Sequence, residues 1–173
     1  MNIVISGPSG VGKTTIARKL IEKIPGSKEV VSCTTRLMRD GEADGRDYYF
    51  ITEGEFKKLI DDNGFLEWVE IYGNYYGTPM AELRSMGPKV LVLDIKGVEE
   101  IKKHIYSIVA VFVHPPNKKE LEKRIILRGN STDRQETSEM LGELPKWLYN
   151  IEVVNNNLEE TVEEILDKIF PKE

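Results

Sequence analysis

Four short apolar runs, separated by amphipathic stretches, set the architecture that the sequence predicts. Ile3–Ser6, Val90–Asp94 and Ile108–His114 are nearly continuous hydrophobic segments, and Ile151–Val154 is a shorter one. Runs of this kind are typical of strands that are buried on both faces of a parallel sheet. Each run is followed by a stretch with helical periodicity. Alternating strands and helices predict an α/β fold with a mostly parallel sheet flanked by helices.

Two of the predicted helices carry clear signals at their N-termini. Asn117 precedes a helical pattern that ends near Leu127, and Asn157 precedes another over 158–170. In both cases a glutamate follows three residues after the asparagine, which is the spacing of a capping box. We therefore predict that both asparagines are N-caps.

The segment 32–79 interrupts the alternation and is rich in glycine, aspartate, arginine and tyrosine. Within it, 48–51 and Phe65–Ile71 predict strands of a half-exposed sheet, and Thr52 with Glu55 predicts a capped helix between them. We interpret the segment as an inserted subdomain. The chain is thus predicted to be one domain over 1–173, composed of a core (1–31, 80–128 and 145–173), a subdomain (32–79) and a short polar lid (129–144).

Composition excludes several classes of function. Hydrophobic residues make up 40% of the 173 positions and charged residues 31%, with a formal net charge of −5. An acidic balance argues against nucleic acid as a partner, and the longest apolar run, 108–113, is too short to cross a membrane. The only cysteine, Cys33, excludes an internal disulfide and favours a reducing compartment. Because the first predicted strand leaves no room for a signal peptide, we predict a cytoplasmic protein.

The candidate chemistry begins with Gly7–Thr14, which matches G-x-x-x-x-G-K-[ST] and lies between a predicted strand and a predicted helix. Its glycines let backbone N–H groups turn toward an anion, and the start of the helix favours negative charge. Lys13 supplies a charge for the β- and γ-phosphates of ATP, and the Thr14 hydroxyl can hold Mg²⁺. The predicted ATP-binding residues are Gly7, Pro8, Ser9, Gly10, Val11, Gly12, Lys13, Thr14 and Thr15.

A second group of polar residues lies within the inserted segment. Arg36 and Arg39 are three residues apart and close in sequence to tyrosines, a combination that suits a second phosphate-sized anion. Glu67 lies beside Trp68 and suits a base with two adjacent N–H donors. Guanine offers such a pair at N1 and N2, whereas adenine does not.

At this point the chain resembles the guanylate kinases over nearly its whole length. The P-loop is followed, in order, by S-x-T-T-R-x-x-R-x-G-E-x-x-G-x-D-Y-x-F from Ser32, the Glu67-Trp68 pair, the stretch Gly73–Thr78, an L-D-I strand end and an R-G turn. The resemblance implies a P-loop NTPase fold and transfer of the γ-phosphoryl group of ATP to GMP or dGMP, with Mg²⁺ as cofactor. It also implies small-molecule partners only, with neither nucleic acid nor membrane, in a monomer or homodimer.

The resemblance also implies roles for individual residues. Ser32, Glu67 and Thr78 match the contacts to guanine, and Asp94 matches an acidic residue near Mg²⁺. The implied GMP-binding residues are Ser32, Arg36, Arg39, Tyr48, Glu67, Tyr76 and Thr78. The implied catalytic residues are Lys13, Arg36, Arg124, Arg128 and Arg134, and the implied metal-binding residues are Thr14 and Asp94.

Ordinary structural roles remain as alternatives for these residues. The arginines at 36 and 39 could form surface ion pairs, Asp94 could cap a turn, and Arg124 could pair with a glutamate on its own helix. The chain also departs from the family, because Lys96 follows where a second aspartate is usual and the lid is short. Lys96 either contacts a phosphate or points to solvent.

Two other functions are weighed against a guanylate kinase. A non-catalytic scaffold module of this family would reuse the arginines, but such modules usually lose the P-loop, which is intact here. A P-loop kinase of a phosphorylated sugar would not need the guanine-type residues Ser32, Glu67 and Thr78.

Overall fold

The computed structural model describes residues 1–84, 86–105, 107–127 and 147–171. The predicted lid, 129–144, and the predicted residues Arg128 and Arg134 lie outside this part of the chain. In chain order the elements are β1 (Asn2–Ser6), α1 (Lys13–Lys23), β2 (Lys28–Glu29), β3 (Cys33–Thr34), β4 (Tyr49–Phe50), α2 (Glu53–Asp61), β5 (Phe65–Ile71), β6 (Asn74–Pro79), α3 (Met80–Leu83), β7 (Lys89–Val92), α4 (Ile95–His104), β8 (Ile108–His114), α5 (Lys118–Leu127), β9 (Ile151–Val154) and α6 (Leu158–Ile169).

A parallel sheet of five strands in the order β2-β7-β1-β8-β9 forms the centre of the molecule. The four predicted core strands are all present, which confirms the α/β fold. The strand predicted over Val90–Asp94 instead ends at Val92, because the Asp94 side chain caps α4. The short strand β2 was not predicted, since two residues are too few to show a periodic pattern.

Both faces of this sheet are covered, as its continuous hydrophobic strands require. Along β1, Ile3 and Ile5 face one side and Val4 faces the other, in keeping with the alternation of side chains in a strand. The first side packs against α1, α5 and α6, and the second against α4. The result is a sheet between two helical layers, with the carboxyl ends of the strands at one edge.

A second sheet, in the order β4-β3-β6-β5, is formed by residues of the inserted segment. The pairs β3–β6 and β5–β6 are antiparallel, and β3 and β4 run parallel. The predicted capping box between Thr52 and Glu55 begins α2. Phe56 on this helix stacks on Phe65, with ring centroids 4.4 Å apart, and anchors the helix to the sheet. Sequence reasoning did not identify β3 or β6 as strands.

The remaining helix signals are borne out by the structure. The Asn117 side chain accepts a hydrogen bond from the Glu120 N–H at 2.9 Å. The Asn157 side chain accepts from two N–H groups of the first turn of α6, which ends one residue earlier than predicted. Within the described ranges, no helix combines the length and apolar composition needed to span a bilayer.

Candidate functional site

The glycine-rich loop joins the carboxyl end of β1 to the start of α1. Gly7, Gly10 and Gly12 all have positive φ, at 142°, 80° and 104°. A Cβ on Gly7 would lie 2.5 Å from the carbonyl oxygen of Val113, so only glycine fits beside β8. These conformations turn the loop around the N-terminus of α1 and confirm the predicted strand–loop–helix arrangement.

Lys13 lies across this loop. Its Nζ donates hydrogen bonds to the carbonyl oxygens of Gly7 at 2.7 Å and Pro8 at 2.9 Å. Thr14 follows in the first turn of α1, where its side chain is exposed. The ammonium, the hydroxyl and the helix N-terminus thus lie together at one edge of the sheet, as a phosphate cradle requires.

Asn155, just beyond β9, supports the glycine-rich loop through a hydrogen bond to its backbone. The sequence analysis did not identify this residue. Only 7% of it is exposed, and its Nδ2 donates to the carbonyl oxygen of Val11 at 2.7 Å. A Cβ on Gly12 would lie 2.8 Å from the same Nδ2. Oδ1 of Asn155 lies 3.3 Å from the Thr161 hydroxyl, whose nearest acceptor is the Asn157 carbonyl oxygen at 2.7 Å. An asparagine after a strand gives no periodic signal, so only tertiary structure reveals this contact.

A cavity joins the P-loop to the second sheet. Some of its lining residues lie at the carboxyl edge of the central sheet, and the others lie on the surface of the inserted segment that faces this edge. They include Ser9, Gly10, Gly12, Lys13, Thr14, Ser32, Arg36, Arg39, Glu42, Tyr48, Glu67, Tyr76, Asp94 and Gly97. The structure therefore brings most of the predicted donor-side and acceptor-side residues together.

One end of this cavity contains a buried carboxylate. Glu67 is 5% exposed, and one of its oxygens accepts a short hydrogen bond from the Thr78 hydroxyl. Burial raises the pKa of Glu67 to about 7, and the nearby charge of Asp94 adds to this, although the bond from Thr78 opposes it. A Cβ on Gly97 would lie 3.5 Å from Glu67 Oε2, so the glycine keeps this end of the cavity open.

The middle of the cavity holds a cationic and aromatic cluster. Arg36 forms a two-point ion pair with Glu42, with N–O distances of 2.8 and 3.1 Å. Its guanidinium carbon lies 5.6 Å from the centre of the Tyr48 ring, and the rings of Tyr48 and Tyr76 meet edge to face at 6.0 Å. Burial raises the pKa of Tyr48, so its hydroxyl keeps its proton as a donor. Arg39 lines the same region.

Asp94 caps a helix, as one of its predicted alternatives has it, and also lines the cavity. Its Oδ1 accepts a hydrogen bond from the Gly97 N–H at 2.7 Å and caps α4, while the residue also lines the cavity. Burial raises the pKa of Asp94, and the Gly97 hydrogen bond and the charge of Lys13 act in the opposite direction. No group of three or more acidic, histidine or cysteine side chains suited to a metal occurs among the described residues. A metal here would therefore take most of its ligands from substrate phosphates and water.

Some predicted residues lie away from the cavity surface. Arg124 pairs with Glu120 on α5 at 3.2 Å and does not line the cavity. Thr78 lies behind Glu67 as its hydrogen-bond donor. Lys96 is exposed, and its charge lowers the pKa of Asp94. The predicted ATP-binding residues that are not part of the cavity lining are Gly7, Pro8, Val11 and Thr15.

Comparisons with known proteins agree with this geometry. The family model of guanylate kinase matches residues 1–172. A guanylate kinase from Symbiobacterium thermophilum is 41% identical over 172 residues, which cover 94% of this chain and 81% of the relative. Another from Caldanaerobacter subterraneus subsp. tengcongensis is 40% identical over 173 residues, covering 94% of this chain and 83% of that protein.

Solved structures give the same result. The crystal structure of a guanylate kinase from Anaplasma phagocytophilum matches with a TM-score of 0.74 and 30% identity, covering 98% of this chain and 84% of that one. A gluconokinase from Sinorhizobium meliloti 1021 matches with a TM-score of 0.55 at 18% identity, over 97% of this chain and 90% of that one, and shares the fold alone. The P-loop, the facing carboxylate and arginines, and these matches together show that the chain belongs to the guanylate kinase family.

Proposed function

We propose that this chain transfers the γ-phosphoryl group of ATP to a phosphate oxygen of GMP, giving ADP and GDP. The observation that carries this proposal is the cavity that joins Lys13 of the P-loop to the buried Glu67 and to Arg36 and Arg39. A site for a triphosphate alone would need only the P-loop. The remainder of the cavity supplies cations for a second phosphate and a carboxylate for a base with N–H donors.

The donor half is formed by Gly7–Thr14 together with Thr15. Its backbone N–H groups and the start of α1 favour the negative charge of the ATP phosphates. Lys13 already donates to two loop carbonyl oxygens, so its ammonium is held close to where the β- and γ-phosphates would lie. We propose that Lys13 stabilises the negative charge that builds up on the transferring phosphoryl group.

The acceptor half binds both the guanine base and the phosphate of GMP. Glu67 accepts from N1–H and N2–H of guanine, the Thr78 hydroxyl donates to Glu67, and Ser32 lines the same cavity and contacts another edge atom of the base. The cationic cluster, with the two tyrosines that adjoin it, binds the phosphate. Because Glu67 is buried, a base without these donors leaves a desolvated carboxylate with donors from Thr78 alone among the residues that the structure describes, which is the basis of selection against adenine.

The reaction itself requires little acid–base chemistry. The acceptor phosphate oxygen is already ionised at neutral pH, so alignment and charge stabilisation are sufficient. Arg36 contributes from the acceptor side, and Arg124, Arg128 and Arg134 remain predicted contributors. Closure of the subdomain 32–79 and the lid 129–144 over the cavity would exclude water and suppress hydrolysis of ATP.

The residues present also fit a magnesium ion. Thr14 offers a hydroxyl at the N-terminus of α1, and Asp94 offers a carboxylate on the same cavity. Magnesium binds phosphate oxygens, waters and one or two protein oxygens rather than a cage of side chains, which suits this sparse donor set. Thr14 would hold the ion directly and Asp94 through water. When bound with ATP, the ion offsets phosphate charge.

We further propose a cytoplasmic enzyme, monomeric or homodimeric, that acts on small molecules and binds neither nucleic acid nor membrane. The net charge of −5 and the single cysteine support this setting.

The test is an assay of ADP release from ATP and Mg²⁺ with GMP, dGMP, AMP, UMP or no acceptor. We expect turnover with GMP or dGMP, and rates with AMP and UMP close to the rate without acceptor. Turnover with none of the nucleotides would favour a scaffold module or a kinase of a phosphorylated sugar, and turnover with AMP equal to that with GMP would remove the assigned role of Glu67.

A further inference from the structure

The ion pair between Arg36 and Glu42 has a specific geometry. Glu42 accepts from both terminal nitrogens of the guanidinium, with Nη2–Oε1 at 2.8 Å and Nη1–Oε2 at 3.1 Å. Nη1 also donates to the carbonyl oxygen of Leu37 at 2.6 Å. The carboxylate therefore binds the end of the guanidinium formed by Nη1 and Nη2 rather than the side formed by Nε and Nη2.

This ion pair leaves two N–H donors of the Arg36 guanidinium available for a ligand. A guanidinium has five N–H groups, and three of those of Arg36 are engaged by Glu42 and Leu37. The other two, on Nε and Nη2, lie on one side edge and have no hydrogen-bond partner among the residues that the structure describes. Two parallel N–H groups on one edge match two oxygens of a phosphate.

We propose that Glu42 is the positioning residue of the acceptor-phosphate site, holding Arg36 so that its Nε/Nη2 edge is presented to the phosphate of the nucleoside monophosphate. The inference rests on the proposed function, because it takes a nucleoside monophosphate as the acceptor. Glu42 touches Arg36 and not the reacting atoms, so it acts through the arginine.

Glu42 is itself held in place. Its Oε2 accepts from the Arg39 N–H at 2.8 Å, and its own N–H donates to the Arg39 carbonyl oxygen at 3.1 Å. The Glu42 carboxylate thus binds the side chain of Arg36 and the backbone of Arg39, both in the same turn. Partial burial alone would raise the pKa of Glu42, but the hydrogen bonds from Arg36 and Arg39 lower it, so the carboxylate stays charged at neutral pH.

The two possible effects of Glu42 have opposite signs. As a simple charge, a carboxylate beside an anion site repels the phosphate, and its removal would strengthen binding of GMP. As a positioning residue, its removal frees a long side chain to sample other rotamers, and binding of GMP weakens. The sign of the change therefore separates the two roles.

The experiment compares Glu42→Ala, Glu42→Asp and Glu42→Gln with the wild type in binding of GMP and of guanosine, which lacks the phosphate. Asp40→Asn is the matched control, because Asp40 is exposed, lies in the same loop and has no ion pair within the described part of the chain. It removes the same charge at a neighbouring position.

We expect Glu42→Ala to raise the Kd for GMP by roughly tenfold or more while the Kd for guanosine changes by less than about twofold. Glu42→Asp keeps the charge but shortens the reach, and it should also weaken GMP binding. Glu42→Gln keeps one acceptor oxygen and should lie between the alanine variant and the wild type. Asp40→Asn should match the wild type.

Unchanged or tighter GMP binding in Glu42→Ala would overturn the proposal, as would wild-type behaviour of Glu42→Asp or equal losses for GMP and guanosine. If the alanine variant fails to fold by circular dichroism, the aspartate and glutamine variants decide by the same criteria. A wild type that binds guanosine but gains nothing from the phosphate of GMP would also overturn the role of Glu42. A wild type that binds no guanine compound would instead defeat the proposed function.

Discussion

The donor half of the site is one stretch of chain, Gly7–Thr14, whereas the acceptor half collects side chains from β5, β6, the loops of the inserted segment and the start of α4. The proposed donor half offers backbone N–H groups, a helix N-terminus and one lysine to the phosphates of ATP. The proposed acceptor half consists of side chains that contact one another, such as the buried pair Glu67 and Thr78 and the half-buried pair Arg36 and Glu42. The first half is therefore built mainly from neighbours in the chain, whereas the second exists only where the strands of the inserted segment pair.

The largest effect is expected from Lys13→Ala. The variant removes the only side-chain charge of the loop, and we expect turnover to fall by roughly three orders of magnitude or more, because phosphoryl transfer depends on charge stabilisation. Circular dichroism should show an intact fold. Lys19→Ala, on the exposed side of α1 where Lys19 pairs with Glu22 at 3.0 Å, is the control. Near-normal turnover of the Lys13 variant would show that phosphoryl transfer does not require the charge of this residue.

The acceptor half is tested by Glu67→Gln. Replacing one oxygen by an amide places a donor against the N–H groups of guanine, and we expect the ratio of kcat/KM for GMP over AMP to fall by about a hundredfold. Glu70→Gln, an exposed position on the same strand, should leave the ratio unchanged. An unchanged ratio in the Glu67 variant would exclude it from base recognition.

The pH dependence of guanine binding sharpens the same point. Only ionised Glu67 can accept from both N–H groups, and its raised pKa of about 7 means that the competent fraction falls as the pH falls through this value. We expect the Kd for guanosine to rise by about tenfold between pH ~8 and pH ~6. Guanosine is chosen because it has no phosphate that titrates. The Glu67→Gln variant should give a flat profile, and a wild-type profile equally flat would contradict the assignment.

The smallest effect is expected on the donor side, from Asn155→Ala. Loss of its hydrogen bond to Val11 leaves a buried carbonyl unpaired, and we expect the KM for ATP to rise by about fivefold, corresponding to roughly 1 kcal/mol. The KM for GMP should hardly change. Thr161→Val removes the hydroxyl near Asn155 but leaves the bond from Asn155 to Val11 in place, so its effect on the KM for ATP should be smaller. Equal increases in both KM values would indicate a general loss of structure rather than a brace on the P-loop.

The extent of sequence prediction differs between the two halves for a physical reason. The P-loop was predictable because its chemistry is local, with glycines, Lys13 and the start of α1 adjacent in the chain. In the acceptor half, Arg36, Arg39 and Glu67 were identified by residue type and by resemblance, but the strands β3 and β6 were not. β3 has only two residues and is specified by pairing with β6, far along the chain, so no pattern of its own marks it. β6 has six residues and pairs with its neighbour β5, but it lacks the period-two alternation of a half-buried strand.

The contacts of individual side chains were the least predictable part. Arg36 was expected either to bind phosphate or to form an ion pair, and the structure shows the ion pair with Glu42 inside the cavity. Asp94 likewise caps a helix and lines the cavity at once. A side chain with several hydrogen-bonding atoms can make a structural contact and still face a cavity, and residue type alone does not tell which contact each atom makes.

The sequence by itself determined the strand–loop–helix cradle, the parallel α/β core and the residue types of a guanine and phosphate site, since these depend on periodicity and on neighbours in the chain. Tertiary structure alone decided that Glu67 is buried beside Thr78, that Glu42 binds the Nη1/Nη2 end of the Arg36 guanidinium and that Asn155 supports the P-loop. Burial and hydrogen-bond direction depend on which elements pack together. The Asn155 contact joins residues at opposite ends of the chain, and the other two join neighbouring segments whose relative orientation is set by the second sheet, so no periodic pattern encodes them.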